Sequence, residues 1–526
     1  MHAWSSGLIF FLSSFLLSES ETRCVRAFSD ERCLGILDSD TTDNKYPNPC
    51  PQFILGIYIG KDRFDFKLFA VTGDTPALNL ILNFIGHTGY FACHHCFLRG
   101  VHRNNKRQFP YDPAVAARTP NEFAIDSQIA LTSGNERGHL GPSVLLNTLD
   151  CELPYSILID YAHTTLLRHG KLILSEIYSR LRPADRVKLD EQLASQAFPH
   201  FFHRKLHRLS DLSFVKATEV RNLIFYALIP RFVSYLPIDL AAHVALFVAA
   251  IRLLHGQPLF GNNTPYVAHD LFTRYYAQFE KFFPGQLNIT LHNHLHFKEQ
   301  YRRFGSLCHT GSFGQESLIG YIGTNWQGTR YLGESICYYY SIDFELHNHP
   351  GDPGPHIDCD GPIGSERSFD FSHHRSVVSV HDQSCTCQSV SSCVSGFQRY
   401  RIGQKCFHSL SYSRRQKSVS YFVRCQKKNC AEFLFGKIVI FFTHGPSTFA
   451  LIQVHPVQSY CSDLFQASDS FFLLKKPLDR LFFVLSSSPL PELEACPIDI
   501  LLDHCIVFSH EKHLIVTPVS SYDEHN

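Results

Sequence analysis

The chain has no charge imbalance: Lys+Arg and Asp+Glu each total 48 of its 526 residues. Net charge therefore says nothing about a partner, and a DNA-binding role would have to rest on a local basic stripe. The sequence also lacks a long uninterrupted apolar run. The N-terminal segment GLIFFLSSFLL is too short to span a bilayer. No Lys or Arg precedes it, so the positive start of a secretory signal is missing, although Ser18 and Ser20 offer small residues for cleavage. His243–Leu254, HVALFVAAIRLL, contains Arg252 and reads as a buried helix. Charged residues are somewhat sparse at 18%, and no internal repeat is visible.

What is present is enough for two to four domains with a sizeable core: 526 residues, 44% of them hydrophobic. There are 18 Cys and 31 His. An even cysteine count permits a disulfide reading, but ten of the cysteines crowd between Cys359 and Cys505 without a repeating spacing. Such a pattern in a long chain favours reduced thiols in the cytosol or nucleus. Two local basic runs occur, Arg99–Arg107 and Phe201–Arg208. Either can be a solvated loop or a phosphate-contacting stripe.

Residues 1–50 show no clear period and read as a poorly ordered or signal-like lead. Strands are expected at 53–59 and 65–71, where β-rich runs are bounded by Gly and Asp. PALNLILNFIG then has Pro at its start and Gly at its end, the punctuation of a helix. From about 160 to 325 helices dominate, with expected spans 161–181, 183–196, 216–233, 238–255, 266–283, 291–302 and 315–321. Residues 347–396, rich in Gly, Pro and then Ser, read as a linker. After 397, short β runs separated by turns suggest a separate small β module.

Three motifs carry chemistry. Cys93 and Cys96 in GYFACHHC have the CxxC spacing that puts two thiolates on one metal. The same spacing serves redox pairs and thiols with no special role. His292 and His296 in LHNHLHF lie four apart, on one face of an expected helix, and can complete a tetrahedral Cys2His2 set. His294 lies on the other side. Asp74 sits in the turn after a strand and Glu316 opens a helix. Carboxylates at strand and helix ends suit a two-metal phosphoryl-transfer site, though an Asp in a turn is more often a cap.

The order of these motifs resembles the RNase H-like catalytic core of eukaryotic DDE transposases, specifically the CACTA (En/Spm-type) group. GDTPALNLILNFIGHTGYFACHHC is similar to the group's second-Asp and CxxC block, and LIDYAHTTLLRHG to its Asp-x-x-His block. FFHRKLHRLSDLSFVKATEVRNLIFYAL is similar to a Lys-Ala-Thr-Glu-x-Arg segment, and LHNHLHFKEQYRRFGSLCHTGSFGQES to the His-pair and Glu block. The likeness covers about 53–345 and, more faintly, 397–520.

This resemblance implies an α/β fold: a partial RNase H-like core at 51–158, a large all-α insertion domain at 159–300, and a return to the core at 301–346 carrying the Glu helix. The linker at 347–396 and a small C-terminal β module at 397–526 follow. It further implies a structural zinc on Cys93, Cys96, His292 and His296, and catalytic Asp74 and Glu316 holding Mg²⁺. DNA contacts would come from Arg204, Lys205, Lys216 and Arg221, the partner would be transposon-end DNA, and homo-oligomers and nuclear localisation are expected. Asp160 precedes a helix and reads as its cap in preference to a fourth acid near the site.

One departure matters. The family's first Asp belongs on a first strand well upstream, and no strand–Asp–Gly signature precedes Asp74. Asp38 and Asp40 are the nearest approximations. The chain thus reads as a truncated, catalytically incomplete transposase. A domesticated zinc-stabilised module for DNA or protein binding is the second reading. A secreted disulfide-bonded protein is the third.

Overall fold

In the computed structural model the described residues are 9–11, 56–59, 62–65, 68–147, 149–324, 332–348, 360–387, 389–415, 417–426, 432–510 and 512–520. The fold mixes helix and strand, as expected, and falls into two compact units. The first comprises 1–164, 287–296 and 310–351, and the second 165–286, 297–309 and 352–526.

In the first unit, strand Ala70–Gly73 is buried along its whole length. It pairs in parallel with Ile157–Ile159, Gly73 facing Ile159 in register. On its other edge it pairs antiparallel with Ile9–Phe11, three residues of the N-terminal apolar run. The strand expected at 65–71 is thus two elements: Asp62–Asp65, in a hairpin with Gly56–Ile59, and Ala70–Gly73. Helix Thr75–Ile81 follows, with Pro76 in its first turn. It stops short of the expected Gly86 because Asn83 takes a left-handed conformation, φ 50. Val71, Leu78, Leu82, Phe84, Phe123 and Ile157 form the core beneath.

Helix Pro120–Ser133 was not expected. Its signals are nevertheless in the sequence: Thr119 and Glu122 make a reciprocal capping box, Pro120 occupies the first turn, and Gly134 ends it at φ 74. Its apolar residues do not fall on one clear stripe, so periodicity missed it.

The second unit is built around helix Ile238–His255, whose bounds match expectation. Every residue from Leu240 to His255 is buried. It is long and apolar enough to cross a membrane by composition, but it lies inside this unit. Helix Thr264–Phe282 packs on it through Tyr275, whose ring stacks on Phe247 and His243. The expected helices at 161–181 and 216–233 form with π-helical stretches at Ala162–Gly170 and Leu223–Ala227.

An eleven-stranded antiparallel sheet occupies the C-terminal part of the same unit. Its longest strand, Phe433–His444, pairs with Val394–Ile402, Phe422–Gln426 and Ser447–Val454. The strands are not a separate module. Arg252, on the central helix, donates to Thr517 Oγ1 at 2.7 Å and to the Pro518 carbonyl at 3.1 Å, so helices and sheet share one interior. Nor is 347–396 all linker. Strand Gly361–Glu366 joins the sheet edge, and helix Arg375–Ser384 packs Val377 against Ile440, Phe442 and Leu451.

Candidate metal centre and its surroundings

The CxxC lies in a tight irregular turn within the first unit. Cys93 and Cys96 are packed among Ala92, Leu98, Phe109 and Ile289. The returning segment reaches them through a backbone bond from Phe109 N to the Leu287 carbonyl, 2.7 Å. Asn288 then caps a short helix, Ile289–Asn293, by accepting from Leu291 N at 2.9 Å. The chain tightens to a single 3₁₀ turn at His294–His296. The single expected helix is therefore interrupted at the site itself.

Those turns bring four donor atoms together. Cys93 Sγ lies 3.2 Å from His296 Nε2, and Cys96 Sγ 3.1 Å from His292 Nε2. The two Nε2 atoms are 3.1 Å apart. All four ligand atoms fall within 4.8 Å of one another. Tetrahedral zinc with ordinary bond lengths puts S···N edges at about 3.5 Å and N···N edges at about 3.3 Å. The residues therefore fit a closed Cys2His2 ion after an adjustment of a few tenths of an ångström. His294 takes no part: it is buried and its Nδ1 approaches the Leu291 carbonyl at 3.2 Å.

The local electrostatics suit a cation. Burial raises the Cys93 thiol, but the hydrogen bond from Cys96 and the nearby His296 and His292 outweigh it and hold Cys93 well below its usual range. Cys96, bonded to that thiolate and buried, is pushed up. Burial lowers His292, keeping its ring neutral and able to coordinate. His95 N donates to Cys93 Sγ at 3.4 Å.

Arg118, which the sequence reading passed over, supports the turn from beneath. It is 1% exposed, and its Nε donates to the carbonyls of both Cys93 and Cys96 at 3.2 Å. Its NH2 donates to the Arg137 carbonyl at 2.6 Å, and NH1 lies 3.7 Å from Asp126. Its planar fork lets one side chain hold three carbonyls. A lone Arg between helices carries no sequence signal for this.

The acidic residues are only partly brought together. Asp74 follows Gly73 and Asp160 follows Ile159, so both sit at equivalent ends of neighbouring parallel strands. Asp74 Oδ1 caps its helix, accepting from Ala77 N at 2.8 Å. Asp160 is a cap, as expected, accepting from Ala162 N at 3.0 Å, but it does more. It accepts from Ser312 N at 3.1 Å and Ser312 Oγ at 2.7 Å, and pairs with His163 Nδ1. Ser312 immediately precedes helix Phe313–Thr324, which carries Glu316. Asp160 thus ties the start of the Glu316 helix to the strand end beside Asp74. The Glu316 side chain lies outside the described residues, as do Asp38 and Asp40.

Arg204, Lys205 and Lys216 are exposed in the second unit, and Arg204 also lies 3.9 Å from Glu219. Arg221 is buried, 6% exposed, and is not presented to a phosphate at the surface. Its helix, Ala217–Asn222, turns that face inward. A cavity of about 570 Å³ that the sequence reading did not anticipate is lined by Arg180, Arg182, Lys188 and Arg231, with Asp185 paired to Arg182 at 2.6 Å. No disulfide joins any described cysteine.

Compared with known proteins, the chain matches no family model and no curated sequence.

Proposed function

We propose that this chain is a transposase-derived, zinc-stapled DNA-binding protein with an RNase H-like core, deficient in strand cleavage. The observation that carries the reading is the convergence of Cys93, Cys96, His292 and His296 from positions 196 and 203 residues apart. A closed four-ligand zinc has no open position for chemistry, so its role is structural. It would fasten the segment returning from the helical block to the turn that follows Asp74.

The acidic arrangement supports the ancestry. Two neighbouring parallel strands are each followed by an Asp, Asp74 and Asp160, and Asp160 anchors the helix carrying Glu316. Magnesium held by such carboxylates would polarise a phosphate and activate a hydroxyl for in-line attack. The strand beside Ala70–Gly73 on its other edge is Ile9–Phe11, which has no carboxylate where a first acid would stand. Asp74 spends one oxygen on its helix cap. Weak Mg²⁺ binding and loss of most cleavage follow. Phosphate contacts would fall to exposed Arg204, Lys205 and Lys216 and to the cavity lined by Arg180, Arg182, Lys188 and Arg231.

The test is a Mg²⁺-dependent nicking assay on supercoiled plasmid, run with salt-dependent DNA-binding measurements. Binding that weakens steeply between roughly 50 and 200 mM salt is expected, with no nicking above background. Mg²⁺-dependent nicking that Glu316→Ala abolishes would overturn the deficiency. Failure to bind DNA would leave the protein-binding reading in its place.

A further inference from the structure

We propose that the second unit holds its own structural zinc, on His381, Cys385, Cys387 and Cys393. The inference is independent of the Cys2His2 centre. The four ligand atoms lie within 4.8 Å of one another. Cys385 Sγ is 3.7 Å from Cys393 Sγ and 3.1 Å from Cys387 Sγ, and His381 Nε2 is 3.0 Å from Cys387 Sγ. Tetrahedral zinc–thiolate geometry sets S···S edges at about 3.8 Å and S···N edges at about 3.5 Å. One edge already matches; the His381–Cys387 edge opens by about 0.5 Å and the Cys385–Cys387 edge by about 0.7 Å to admit an ion. A disulfide would require sulfurs at about 2.05 Å, and all three thiols are free.

Three local features prepare the set. His381 sits in the last turn of helix Arg375–Ser384, anchored by Val377 in the core and by Ser376 Oγ on the Leu493 carbonyl at 2.8 Å. Its Nδ1 lies 3.0 Å from the Asp382 carboxylate, which selects the tautomer that frees Nε2 for a metal. Cys387 N donates to Cys385 Sγ at 3.5 Å, the same backbone-to-sulfur bond that His95 N makes to Cys93 in the first centre. Cys393 ends a one-turn helix, Val390–Cys393, that leads directly into strand Val394–Ile402.

Three thiolates and a neutral imidazole select zinc over the harder magnesium or calcium. Binding displaces the thiol protons to solvent, so affinity falls as pH falls. With four protein ligands the ion is closed, and it would fasten Cys385, Cys387 and the Val390–Cys393 turn between helix and sheet. The cysteines here are half-buried, whereas Cys93 and Cys96 are buried, so this ion exchanges first.

The test counts metal in the full-length protein by mass spectrometry. Two zinc ions per chain are expected, with one lost in Cys387→Ser and the other in Cys96→Ser. Brief EDTA treatment of the wild type should release one ion, and Co²⁺ refilling should give tetrahedral sulfur-to-cobalt absorption that Cys387→Ser lacks. If Cys387→Ser does not fold, the EDTA and Co²⁺ readouts on the wild type decide. An unchanged zinc count in folded Cys387→Ser overturns the proposal, as does a Cys385–Cys393 disulfide in intact-mass analysis or a wild type that EDTA and Co²⁺ leave unaltered. Zinc lost in Cys387→Ser but not in Cys96→Ser would sink the first centre alone.

Discussion

Breaking the Cys2His2 clamp with Cys96→Ser should loosen one region far more than the rest. The proposed zinc would join Cys96 to His292 across 196 residues of chain. An ion that binds the folded site and not the unfolded chain adds its binding free energy to folding, on the order of 10 kcal/mol for structural zinc at neutral pH. The substitution also leaves Cys93, His292 and His296 as three incomplete ligands among the buried Ala92, Leu98, Phe109 and Ile289. Because the chain has two compact units, a single melting midpoint would mix their responses. Hydrogen exchange resolves them. Amides in 92–98 and 289–296 should lose protection by a factor of about 10³ or more, while those of helix Ile238–His255 should change little. Equal protection in wild type and variant, with zinc absent from both, would refute the clamp.

Arg118→Met should destabilise the first unit by about 1–3 kcal/mol in urea unfolding, because the Cys93, Cys96 and Arg137 carbonyls lose their buried donor, while Asp126 keeps Arg137 at 3.8 Å. Zinc competition should show affinity falling about 10–100-fold as the Cys93 and Cys96 carbonyls lose their shared donor. Asp160→Asn should cost about 1–3 kcal/mol, since one amide oxygen cannot serve Ala162, Ser312 and His163 together. An unchanged urea midpoint would show that Asp160 does not tie down the Glu316 helix. Leu246→Ala, in the centre of the buried helix, should cost about 2–5 kcal/mol by calorimetry. Acid should unfold the protein early. Burial pushes His139, His243, His408 and His504 each down to about 3. Their folded values lie below the ordinary 6.5, so the unfolded chain binds more protons between those limits and stability falls as pH drops from about 6.5 toward 3. A fluorescence-monitored stability that stays flat from pH 7 to pH 4.5 would contradict this.

The sequence by itself determined the elements whose signals are local. Ile238–His255 is apolar on every face, and its ends were readable to the residue. Asp74 and Pro76 mark a helix start through one side-chain bond three residues away. CxxC and the His pair declared their donor chemistry because each pair spans one turn of chain. What only the tertiary structure decided depends on distant partners. The meeting of Cys96 with His292, the pairing of the strands that Asp74 and Asp160 follow, and the Arg118 support beneath the turn join segments that share no local pattern. The same holds for the union of helices and sheet through Arg252, where composition suggested two modules. Burial of Arg221 is the clearest instance: its charge was legible, but whether it faces water depends on what the helix Ala217–Asn222 packs against.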